Sequence, residues 1–130
     1  MEKKEITIVF YGRRYPRQDW SFNWDQRALD ELLGEITREF LPLGIVIEAV
    51  REEGIVLDVN GYGDLLNTVR IRSLGDGIGN LCLGHILGSS PNRNLIEDIR
   101  RGVSRVAFAP ETIEPEGSDK IVCHNCGCGC

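Results

Sequence analysis

Glu5-Ile6-Thr7-Ile8-Val9-Phe10-Tyr11-Gly12 is the stretch on which the fold turns. Ile6, Ile8 and Phe10 alternate with Thr7, Val9 and Tyr11, and nearly every residue is apolar or β-favouring. That is the pattern of a strand buried on both faces. Downstream, Leu29, Leu32, Leu33, Ile36 and Phe40 fall at helical spacing, predicting a helix from about Trp24 to Leu41. Asn23 or Asp25 can cap its start, and Pro42 with Gly44 stops it. A second apolar run, Gly44-Ile45-Val46-Ile47-Glu48-Ala49-Val50, then reads as another buried strand. Two strands joined by a crossover helix run parallel, with the helix on one face.

Beyond this unit the signals are shorter. Ile55 to Val59 extends as a strand or a loop edge, Asn60-Gly61-Tyr62-Gly63 is turn chemistry, and Asp64 to Asn67 fits a short helical turn. Thr68-Val69-Arg70-Ile71-Arg72 alternates as a half-exposed strand with Arg70 and Arg72 outward. Asp76-Gly77 supplies a hairpin turn, and Asn80 to His85 reads as the returning strand. Pro91 opens a last helix whose apolar stripe is Leu95, Ile96, Ile99, Val103 and Val106. The expected organisation is a domain over residues 1–108, an acidic, Pro-containing linker over 109–120 and a flexible cysteine-rich tail over 121–130.

Composition bounds the function. The chain has 130 residues, 42% hydrophobic and 27% charged, enough for one soluble domain with a single core. A net charge of −5 argues against nucleic acid as a partner, because phosphate binding needs clustered Lys and Arg. The apolar stretches are strand-sized, so no membrane span or signal peptide is expected, and the chain is read as cytoplasmic. In a reducing compartment, five cysteines with four at one end point to metal binding or redox work rather than a disulfide framework.

Those four lie in Cys123-His124-Asn125-Cys126-Gly127-Cys128-Gly129-Cys130. Thiolates are soft ligands suited to zinc, Cu(I) and iron–sulfur clusters. Cys123-x-x-Cys126 lets two sulfurs converge on one ion, and Cys126-x-Cys128-x-Cys130 adds two more donors across glycines that do not obstruct the backbone. His124 can donate a nitrogen if one sulfur stays free. Zinc or another soft metal is therefore the leading cofactor. An iron–sulfur cluster is bulkier and usually draws ligands from separate loops, an objection that a second subunit would relax. The competing reading is a thiol–disulfide carrier that cycles a Cys123–Cys126 disulfide. A third is an accessory subunit docking on a protein partner through the tail and the aromatic loop of Tyr15, Trp20, Phe22 and Trp24. In that loop, a cover over the core edge is the plainer role. Cys82 and His85, three apart on the predicted strand, would point to opposite faces, Cys82 as a small buried hydrophobe. The alternative has the tail folding back so that Cys82 joins its site.

Strand–helix–strand, a connection, a hairpin and a closing helix is the order of the thioredoxin fold, so the fold class is α/β, thioredoxin-like. With its Cys-x-x-Cys and Cys-x-Cys tract, the chain resembles the small cysteine-rich thioredoxin-like proteins of anaerobic bacteria and archaea grouped as a domain of unknown function (DUF2703). The resemblance implies an oxidoreductase-type Cys-x-x-Cys after the first strand and a cis-proline before the third. Here the first loop reads Arg17-Gln18-Asp19-Trp20-Ser21-Phe22-Asn23-Trp24, without cysteine, and Leu66-Asn67 offers no proline. On that reading the domain is a scaffold or docking module, and the reactive sulfur has moved to the tail.

Overall fold

The computed structural model describes residues 4–23, 25–88 and 93–113. Its core is a four-stranded mixed sheet in the order β2-β1-β3-β4. Strand β1 (Lys4–Arg14) pairs in parallel with β2 (Ile45–Asp58), and helix α1 (Gln26–Phe40) crosses between them. Strand β3 (Val69–Ser73) runs antiparallel to β1 and forms a hairpin with β4 (Ile78–Cys82). Two short helices, α2 (Tyr62–Asn67) and α3 (Leu83–Leu87), flank the hairpin, and α4 (Leu95–Phe108) closes the domain. The α/β class, the mixed sheet and the two main amphipathic helices follow the expected order.

One sheet face is apolar and packed by α1 and α4. Cross-strand partners share a face, so the register sets Ile6 beside Ile47 and Ile8 beside Ile71. Leu29, Leu32, Ile36 and Phe40 of α1, and Leu95, Ile99, Val103 and Val106 of α4, complete this core. A Cβ at Gly102 would stand 2.3 Å from Leu83 Cδ1, so glycine lets α4 pack closely on the start of α3. Arg100 ties the two helices at the surface, reaching Glu35 at 2.5 Å and Glu39 at 3.2 Å. Both helices start on side-chain caps: Asp25 accepts from the Ala28 amide and Asn94 from the Glu97 amide.

Three local expectations need correction. Arg70 does not point outward into solvent; it is 2% exposed, because the second sheet face is polar yet covered. The returning strand does not reach His85. It stops at Cys82, whose sulfur accepts a hydrogen bond from the His85 amide at 3.3 Å and caps α3. The last helix begins at Leu95 behind the Asn94 cap rather than at Pro91, which lies outside the described residues.

At the carboxyl end of α4, residues 110–112 form a 3₁₀ turn and Ile113 enters the core. Arg105 fastens this turn, donating to Thr112 Oγ1 at 3.0 Å and to the Thr112 carbonyl at 2.6 Å. Residues 114–120 of the expected linker and the whole tail over 121–130 lie outside the described residues.

Candidate functional site

The proposed ligands Cys123, His124, Cys126, Cys128 and Cys130 all lie outside the described residues. Among the described residues, no three His, Cys, Asp or Glu side chains converge as metal ligands. Cys82 and His85 are both buried, at 0% and 3% exposure. The Cys82 sulfur is occupied locally as a helix cap.

The aromatic loop behaves as a cover. Tyr15, Trp20 and Phe22 are partly buried against the core, with the Tyr15 and Trp20 rings 6.1 Å apart and Phe22 edge-on to Tyr62 at 6.4 Å. Trp24 falls outside the described residues.

Two features carry chemistry within the domain. The first is a polar band across the second sheet face. Glu52 of β2 sits opposite Tyr11 of β1, and Arg72 of β3 reaches Glu52 at 3.3 Å. Arg72 also donates to Asn80 Oδ1 at 3.2 Å, while the Asn80 amide donates to the Tyr11 hydroxyl at 2.9 Å. Arg70 lies 5.2 Å over the Tyr11 ring and donates from Nε to the Asn67 carbonyl at 2.8 Å. The alternation Arg70-Ile71-Arg72 signals that these arginines share a face, but not that the face is covered.

The second is a cavity of about 580 Å³ at the carboxyl ends of the parallel pair β1 and β2, beside the first turns of α1. The crevice outside the carboxyl ends of parallel strands is the usual ligand position in open α/β sheets. Phe10, Tyr15 and Phe22 supply aromatic wall, Leu29 and Leu33 an apolar helix side, and Arg13 and Arg51 two cations from neighbouring strands. Desolvation by burial pushes the Arg13 guanidinium below its ordinary range; the Arg51 charge acts the same way, while Tyr15 and Glu53 oppose it. The Tyr15 hydroxyl is buried and has no hydrogen-bond partner among the described residues. At Gly12 a Cβ would lie 3.0 Å from the Glu53 carbonyl and 3.1 Å from Val56, so a side chain there would crowd β2 where it folds over this end. No sequence motif announces the cavity, since its residues come from three separate segments.

No protein-family model matches the chain, and no curated protein or solved structure matches it. Within the described residues no helix is long and apolar enough to cross a membrane.

Proposed function

We propose that this chain is a cytoplasmic soft-metal-binding protein whose ligands are Cys123, Cys126, Cys128 and Cys130, carried on a thioredoxin-like scaffold. The observation that carries the reading is the spacing Cys-x-x-Cys-x-Cys-x-Cys, which gathers four thiolates within eight residues. Zinc or another soft metal fits four such donors, with His124 as a substitute, and an iron–sulfur cluster shared with a second subunit is the larger alternative. The succession β1–α1–β2, α2, β3–β4 hairpin and closing α4, with the first two strands parallel, supports the scaffold assignment. A protein partner that receives the ion fits a tract of closely spaced thiolates. When bound, the metal would hold the sulfurs as thiolates and protect them from alkylation.

Anaerobic purification, elemental analysis and a visible spectrum test the proposal. About one ion per chain is expected, and it should be lost when Cys126 and Cys128 are both replaced by Ser. Unchanged metal content in that double variant sinks the site. If the four sulfurs alkylate equally fast before and after chelation, and mild oxidation then yields a Cys123–Cys126 disulfide that a reductase reverses, the chain is a thiol–disulfide carrier instead.

A further inference from the structure

We infer that the cavity at the carboxyl ends of β1 and β2 binds a small organic anion with an aromatic or branched apolar body. Its lining is drawn from the segment Phe10 to Val56. Phe10, Tyr15, Phe22, Leu29 and Leu33 offer the apolar surface, and Arg13 and Arg51 the anion contact. A pocket of several hundred cubic ångströms that sets an apolar wall beside convergent polar groups suits a small molecule with an apolar body and a charged end.

The charges around the cavity favour an anion at its basic wall. Arg13 and Arg51 are like charges brought to one cavity, where the Arg51 charge disfavours that of Arg13. Two carboxylates also line it, but both are engaged on the rim. Asp30 accepts from the Gln26 amide at 2.9 Å. Glu53 stands 4.0 Å from Arg51, with both side chains more than half exposed. An exposed pair at that distance is weak, so a ligand carboxylate, sulfonate or phosphate can take the place of Glu53 and relieve the Arg13–Arg51 repulsion. A planar guanidinium presents paired donors suited to those groups. The buried Tyr15 hydroxyl, without a partner among the described residues, is a further polar group that a ligand oxygen would satisfy.

The test compares two fluorescent compounds of one shape: anilinonaphthalene sulfonate, an anion, and the neutral phenylnaphthylamine. Trp20 lies beside Tyr15, so energy transfer from tryptophan reports binding near the cavity. The sulfonate should bind at one molecule per chain and more tightly than the neutral compound. Arg51→Gln and Arg13→Gln should each weaken the sulfonate about tenfold, as expected for one lost charged hydrogen bond, and leave the neutral compound within about twofold. Arg51 is 58% exposed in its side chain, so that variant should fold even if Arg13→Gln does not. Ala49→Trp, which fills the cavity, should weaken both compounds, while Arg100→Gln on the α1–α4 surface should change neither. Equal binding of both compounds with no response to Arg51→Gln overturns the proposal. So does binding that survives Ala49→Trp, since the compounds would then be adsorbing elsewhere, as on exposed Leu41, Leu43 and Phe108.

Discussion

The two faces of the sheet are buried by different means. On one, Ile6, Ile8, Ile71 and Leu81 meet the apolar stripes of α1 and α4, and burial of hydrocarbon stabilises the contact directly. On the other, Tyr11, Arg70, Arg72 and Asn80 are covered or half-covered, and their stability rests on each polar atom finding a partner. Strand β1 serves both faces, with Ile8 on the apolar side and Tyr11 on the polar side. The difference teaches that a strand with no exposed stretch need not be apolar on both sides. It also predicts that the faces will respond differently to truncation and to changes of shape without charge.

The largest effect is expected on the apolar face. Ile71 is fully buried and contacts both β1 and the α4 side of the core. Ile71→Ala should destabilise by about 3 kcal/mol, from lost transfer energy and the cavity left behind. Chemical denaturation measures this. A loss below about 1 kcal/mol would mean that this face collapses easily and is less closely packed than described.

Arg70 tests the other face. Arg70→Ala should cost about 2 kcal/mol, because it removes the stem against Tyr11 and leaves the buried Asn67 carbonyl without its donor. Arg70→Met keeps most of the stem volume and should recover about half of that loss. If Met is as damaging as Ala, the guanidinium itself holds the face together. If Met equals the wild type, the face is held by shape, and the contrast between the two faces disappears.

The sequence disclosed the apolar face well and the polar face poorly. The period of α1 and the apolar run in β1 are signals of hydrocarbon that the fold buries, whereas β2, read as buried on both faces, is an edge strand that buries only Ile45 and Ile47. Alternation in Arg70-Ile71-Arg72 marks two faces but cannot distinguish solvent from a covered polar layer, so Arg70 reads as outward. Leu81-Cys82-Leu83-Gly84-His85-Ile86 is continuously apolar enough to extend a strand, and the switch to α3 depends on a sulfur cap that appears only in three dimensions. The cysteine tract stands out as a candidate ligand set because its donors are adjacent in sequence. The cavity does not, because Arg13, Leu29 and Arg51 become neighbours only once the βαβ unit has closed.

The carboxyl end of the apolar face gives a third, smaller test. Ile113 is 8% exposed and extends the core, and Arg105 holds Thr112 beside it. Truncation after Ala109 should therefore lower stability by about 1.5–2 kcal/mol, the burial worth of one isoleucine. Truncation after Ile113 should leave the metal-free melting temperature nearly unchanged. Equal behaviour of the two truncations would show that Ile113 adds nothing to the apolar face.

The smallest expected effect separates charge from packing at the edge of that same face. Lys4 Nζ lies 2.8 Å from Asp76 and also donates to the Val106 and Ala107 carbonyls at 2.6 and 3.0 Å, joining β1 to the last turn of α4. Burial acts to raise the Asp76 carboxyl, but hydrogen bonds from Lys4 and Ser73, with the Lys4 charge, outweigh it and hold the group below its ordinary range. A carboxyl lowered in the folded state adds stability that is fully present above its unfolded value, ~3.9, and is lost as pH falls through the lowered folded value. Asp76→Asn should thus destabilise by about 1 kcal/mol at neutral pH, since its amide keeps the shape but not the charge. The deficit should shrink toward zero in strong acid, where the wild-type carboxyl is itself protonated. Denaturation midpoints across a pH series decide this. A deficit that stays constant with pH would show that Asp76 acts through its fit beside Ser73 and that its ion pair with Lys4 contributes nothing.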